Sequence, residues 1–199
     1  SIAGAFVTLW CTGMIYASLP TIRAWHQPLV PPIYLVMAMA TGALLLCLFL
    51  AIFGYQPRWA AAIAVLALAA GWILKFRYWW TIDRETRSRT AEAATGLGHL
   101  GTVRPLDPPH TQPNFVMREM GYQVARRHAE KLRWLAMILL FALPIVASLL
   151  LLLNLSPPLQ IAIALLSVVS AGIGVLTERW LFFAEAEHVV VLYYRGGVA

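Results

Sequence analysis

Residues 159–176 run without a single charged side chain, and four other stretches approach the same length and character. A helix needs about 20 mostly apolar residues to cross the hydrocarbon core of a bilayer. Five segments meet or nearly meet that need: 2–19, 33–53, 59–80, 132–153 and 159–181. The runs are long and unbroken and lack the alternating ten-residue pattern of membrane strands, so helices follow. Composition agrees. The chain is 60% hydrophobic and 12% charged, against about 25% charged in a soluble domain. The expected fold is all-α: one membrane domain over 1–199, a polytopic bundle of five membrane helices. Ser1 opens directly on an apolar segment without the charged n-region of a signal peptide, as a piece of a longer chain would.

The connections alternate in character. Residues 54–58 and 154–158 are short and marked by proline. Residues 20–32, the long loop 83–131 and the tail lie on the other side. That side carries fourteen of the fifteen lysines and arginines, leaving only Arg58 opposite. Positive charge collects on the cytoplasmic side of membrane proteins, so the long loop and the tail are placed there. The formal charge of +6 is accounted for by this asymmetry and does not point to nucleic acid. Within the long loop, 102–113 is rich in proline and expected to be extended. Residues 114–133 have helical spacing, fitting a helix on the membrane, one leading into the fourth span, or a docking surface. Small residues four apart, Ala38 with Gly42 and Ser170 with Gly174, are candidate helix contacts.

Chemistry concentrates after the last apolar run. Residues 178–194 place Glu178, Arg179, Glu185, Glu187 and His188 among Trp180, Phe182, Phe183, Tyr193 and Tyr194. Acids at a membrane edge are costly unless paired or wet, which makes them functional candidates. Read as one continuous helix, the tail puts Glu178, Glu185 and His188 in a single sector and Arg179 on the opposite side. Glu178 lies about 30 Å along its span, at the membrane boundary rather than the midplane. Tyr16, Arg23 and His26 sit on the same face. A polar pocket at that boundary, lined by Glu178, Glu185, His188 and His26, is expected, with Arg179, Arg23 or water neutralising the acids. Cys11 and Cys47 fall inside apolar runs with no zinc or iron–sulfur spacing. Only His26 and His188 share a face and neither lies within a span, which disfavours a haem. The glycines of 96–101 lack the context of a nucleotide loop.

The tail TERWLFFAEAEHVVVLYY resembles the carboxy-terminal signature of the DMSO reductase membrane-anchor subunit family. CTGMIYASLPTIRAWHQPL is similar to a loop between that family's middle spans, and MREMGYQVARRHAEKLR to members grouped with sulfite-oxidising complexes. The resemblance implies the carboxy-terminal part of an anchor with no metal or haem of its own in the bacterial inner membrane. It further implies exchange of electrons with menaquinone or ubiquinone in anaerobic respiration. The implied partners are an iron–sulfur electron-transfer subunit and a molybdopterin catalytic subunit, which would hold the substrate-converting site. Physical chemistry supplies candidates for the quinone head. Tyr16, Arg23, Arg179 and Trp180 offer donors, and His26, Glu178, Glu185 and His188 offer proton acceptors. The long loop and the tail would contact the iron–sulfur subunit. The rival readings are a scaffold that only docks soluble subunits, a b-type cytochrome anchor and a small-molecule transporter; the apolar spans count against the last.

Overall fold

The structure is a computed structural model that describes residues 1–84, 91–103, 106 and 123–186. Among these residues all regular structure is helical. The elements are α1 (Ile2–Ala17), α2 (Val30–Ile52), α3 (Arg58–Arg84), α4 (Ala91–Thr95), a 3₁₀ turn (Gly98–Leu100), α5 (Gln123–Arg127), α6 (Ala129–Leu150) and α7 (Pro157–Ala184). Four helices, α2, α3, α6 and α7, are long and apolar enough to cross a membrane. This is a multi-pass membrane protein. Helix α1 is apolar but has 16 residues, short of the usual span.

Local chemistry fixes the helix ends. Pro31 and Pro32 lie in the first turn of α2, and Pro157 and Pro158 in that of α7. Proline is tolerated there because the first amides have no intrahelical acceptor. The helices therefore begin earlier than the apolar runs suggest. At the end of α2, Gly54 takes φ +78°. The Tyr55 amide then donates to the Leu50 carbonyl (2.8 Å) and the Gly54 amide to Ala51 (3.2 Å), closing two orphan carbonyls. A few residues later α3 starts back across.

Helix α2 is central: it packs against α1, α3 and α7, while α6 packs against α3 and α7. The main core gathers Val30, Ile33, Met37, Leu44, Leu68, Tyr78, Leu140, Phe141, Leu181 and Phe182. A smaller cluster of Cys47, Ala60, Ala61, Leu151 and Ala164 lies toward the short connections.

The α6–α7 contact has a specific cause. Residues Ile138–Ala142 form a π turn, in which the Leu143 amide reaches back to the Ile138 carbonyl. The same register would pair the Leu139 carbonyl with the amide of residue 144, but Pro144 has none. The Ser170 hydroxyl donates to that carbonyl across the interface at 2.8 Å. One turn on, a Cβ at Gly174 would lie 2.5 Å from the Leu140 nitrogen. Ser170 and Gly174 thus form the close approach that their spacing suggests. Ala38 and Gly42 do not, since nothing lies within 4 Å of a Cβ at Gly42. Spacing alone cannot say which helix face meets a neighbour.

Residues 129–133 of the amphipathic segment are the start of α6, so this part leads into a membrane-capable helix. Residues 114–122 lie outside the described residues, as does most of 102–113. The tail does not continue as one helix: α7 ends at Ala184 with Glu185 as its C-cap. Glu187 and His188 lie outside the described residues.

Gly174→Ala is expected to destabilise the bundle by about 1–3 kcal/mol through overpacking, with Gly42→Ala neutral or stabilising. Thermal unfolding of the detergent-solubilised protein measures both.

Candidate functional site

Lys75 and Glu178 meet at the end of the bundle that carries the basic side chains. Counting from the helix starts, Lys75 is about 26 Å along α3 and Glu178 about 31 Å along α7. Both helices leave the same side of the bundle, so the two charges arrive at similar depth. They are 1% and 0% exposed, and the Lys75 ammonium is in direct ion-pair contact with Glu178 Oε1.

Arg179 completes the cluster. It belongs to the far side of α7 by helical angle, yet its long side chain folds back onto its neighbour. Nη2 donates to Glu178 Oε1 at 2.8 Å and Nε to Oε2 at 2.5 Å. Both carboxylate oxygens are therefore engaged by cations, which is what a carboxylate at this depth requires. Aromatic rings form the walls. The Lys75 ammonium lies 4.1 Å from the Tyr78 ring centroid and 4.7 Å from that of Trp79. The Arg179 guanidinium lies 4.7 Å from both Tyr34 and Phe182. Such faces stabilise a desolvated cation by about 2 kcal/mol or more.

A second ionic group sits toward the aqueous end. Arg133 of α6 donates to Asp83 of α3 (2.7 and 3.1 Å) and to Glu185 at the end of α7 (2.7 Å). Its guanidinium lies 5.4 Å from the Trp79 centroid, so Trp79 offers its ring to both cations. The two groups together hold Lys75, Arg133 and Arg179 against Asp83, Glu178 and Glu185. The formal charges cancel, and three helices are tied together.

The 18–29 connection closes this end. Arg23 Nη1 donates to the Ile82 carbonyl at 3.1 Å, and Trp25 Nε1 to Phe182 at 2.9 Å. Arg126 Nε donates to Ala184 at 2.8 Å. These bonds satisfy terminal carbonyls of α3 and α7, which helices leave without partners. The Tyr78 hydroxyl donates to the Ala24 carbonyl at 2.8 Å, fixing the loop to α3.

Of the residues that the sequence marks as candidates, Tyr16, Glu178 and Arg179 lie together around Tyr34 and Phe182, and the other described ones lie apart. Tyr16 packs edge-on against Trp25 (5.1 Å) and Phe182 (5.3 Å) and stacks on Tyr34 (5.9 Å). Glu178 and Arg179 form the buried cluster. Arg23 caps α3 and does not neutralise Glu178. His26 is exposed, with Nδ1 2.7 Å from the Ala17 carbonyl. Trp180 is exposed on another face of α7. Glu185 takes Arg133 as partner, while His188 lies outside the described residues. Glu178 thus has Lys75 and Arg179 as partners and Glu185 has Arg133, while His26 meets neither acid among the described residues.

Lys75, Tyr34, Tyr78, Trp79 and Arg133 belong to the site without standing out in the sequence. For Lys75 a signal exists: the same depth count that places Glu178 at the boundary places Lys75 opposite it. Val30, Ile33, Tyr34, Lys75, Tyr78, Arg179 and Phe182 line a cleft too narrow to admit a water molecule. Among the described residues no group of three or more histidines, cysteines or acids is arranged to hold a metal ion.

Lys75→Met or Glu178→Gln alone is expected to cost about 3–5 kcal/mol, because each strands a buried partner. The double variant Lys75→Met/Glu178→Gln should cost clearly less than the sum. Denaturant unfolding in detergent gives the cycle; strictly additive costs would show the two groups to be uncoupled.

No protein-family profile matches the chain, and no solved structure matches it. Among curated proteins it is similar to a sulfite dehydrogenase subunit of Allochromatium vinosum. The identity is 29% over 193 residues, covering 93% of this chain and 56% of that protein. The chain thus spans about half the length of the relative it matches.

Proposed function

We propose that this chain is part of the membrane-anchor subunit of a sulfite-oxidising molybdoenzyme complex, passing electrons between an iron–sulfur partner and membrane quinone. The observation that carries the reading is the similarity to the Allochromatium vinosum sulfite dehydrogenase subunit along nearly the whole chain. The membrane helices and the charged, aromatic cluster at one end of the bundle support it. In this reading α1 is a fifth membrane helix. The fourteen-to-one basic asymmetry supports a cytoplasmic side for the cluster, the long loop and the tail, in this reading that of the bacterial inner membrane.

Oxidising sulfite with water gives sulfate, two protons and two electrons. Quinone takes up two electrons and two protons to become quinol. Electrons therefore run from the molybdopterin subunit through the iron–sulfur subunit to quinone. The anchor's task is to seat the quinone head where electrons arrive and to let protons reach it. An apolar ring with two carbonyl oxygens asks for aromatic walls and fixed donors at the membrane boundary.

The mouth between α2 and α7 offers both. Tyr34 and Arg179 supply donors, Tyr16 and Phe182 supply walls, and the Lys75–Glu178 pair behind them holds Arg179 in place. The cleft is closed, so a head group enters by displacing the Tyr34 ring from the Arg179 face. His26, Glu185 and His188 remain candidates for proton exchange with the aqueous side. The scaffold reading keeps one observation in its favour: every charge of the buried cluster already has a partner.

The purified complex is expected to contain quinone and to reduce it with sulfite. Tyr34→Phe removes one donor and should lower quinone-linked turnover about 5- to 100-fold, leaving helicity and assembly unchanged. An assembled complex with no bound quinone, no response to quinone analogues and wild-type turnover in Tyr34→Phe would leave the scaffold reading standing.

A further inference from the structure

Helix α3 turns one stripe away from the bundle. It carries Ile73, Phe76, Arg77, Trp80 and Arg84, all exposed. The spacing places them on one helix face. Their order along the helix is also an order in depth. At 1.5 Å per residue from Arg58, Ile73 and Phe76 stand about 22 and 27 Å along the helix, within a hydrocarbon core of about 30 Å. Trp80 follows at about 33 Å and Arg84 at about 39 Å, the level of the head groups.

The two arginines of the stripe differ from the cations of the buried cluster. Lys75, Arg133 and Arg179 all face carboxylates. Arg77 and Arg84 face none among the described residues. The neighbouring acid, Asp83, is committed to Arg133 by two hydrogen bonds. Arg84 lies over the Trp80 ring, 4.0 Å from its centroid. Stacking occupies a face of the guanidinium and leaves its N–H edge for an oxygen acceptor. Arg77 sits at the edge of the hydrocarbon, where a long side chain extends toward the head groups and brings its charge to the level of Trp80.

We propose that this stripe binds an anionic phospholipid. Its phosphodiester lies between Arg77 and Arg84 beside Trp80, and an acyl chain runs down over Phe76 and Ile73. The occupant follows from charge and position together: two cations with no carboxylate partner among the described residues stand above an apolar surface at the head-group level. A soluble partner would need a matching acid and would leave Phe76 and Ile73 to lipid. This site is separate from the quinone cleft, which opens between α2 and α7.

The test reads Trp80 directly. The purified protein is placed in phosphatidylcholine bilayers containing a fraction of phosphatidylglycerol, with bromine on the acyl chains of one lipid or the other. The Trp80 signal is taken as the difference between wild type and Trp80→Phe. Quenching should reach half its maximum at a mole fraction at least about 5-fold lower for brominated phosphatidylglycerol than for brominated phosphatidylcholine. Arg77→Gln/Arg84→Gln should bring that ratio to about one, and Arg77→Lys/Arg84→Lys should keep part of the preference. Equal quenching by the two lipids in wild type overturns the proposal. So does a preference that survives the double Gln variant, or absence of quenching by either lipid, which would mean that protein covers the stripe.

Discussion

A lysine and a glutamate, each almost wholly removed from solvent, are the constraint on which this end of the bundle depends. Either one alone would be untenable at the depth where α3 and α7 place them. Together, and with Arg179 on the other carboxylate oxygen, they fix the register of α3 against α7. That register brings Trp79 beneath Arg133, and Arg133 in turn draws Asp83 and Glu185 together. The aromatic walls are part of the same solution, since ring faces are the favourable apolar surface for a desolvated cation.

The terminal carbonyls of α3 and α7 reinforce the arrangement. Arg23, Trp25 and Arg126 reach them from two different connections, so the loops are held by the helices they cap. The other end is built differently. There the Gly54 turn, the prolines at the helix starts and the small side chains around Cys47 and Ala164 are enough, and Gln160 donates to Gln56 at 3.2 Å. This polarity, with the buried ion pairs at one end and small side chains and a glutamine pair at the other, gives the proposed quinone role its place. A lipid-soluble ring with polar oxygens suits the aromatic, cationic mouth of the first end.

Much of the architecture is legible in the sequence because membrane helices announce themselves by length and apolar content. Their starts are harder to read at Pro31 and Pro157, where proline suggests a loop but belongs to a first helical turn. Pairing across helices is harder still. Glu178 and Arg179 stand out, yet a helical wheel puts Arg179 on the opposite side because it ignores the reach of a long side chain. Lys75 reads as one positive charge on a face unless its depth is counted against that of Glu178. Tyr34 lies within an apolar run, and nothing local distinguishes it from a lipid-facing aromatic. Ser170 with Gly174 and Ala38 with Gly42 look alike in sequence; only the carbonyl left free by Pro144 makes the first pair an interface.

The central claim is that the charged, aromatic end of the bundle faces the cytoplasm, where soluble electron-transfer partners can reach a quinone seated there. Single cysteines at Gln56, Ser156 and His99, introduced after replacing Cys11 and Cys47 by alanine, test it in intact cells with a membrane-impermeant thiol reagent. The account predicts labelling at 56 and 156 from outside, and at 99 only after the membrane is opened. Labelling at 99 in intact cells, with 56 and 156 protected, would contradict it.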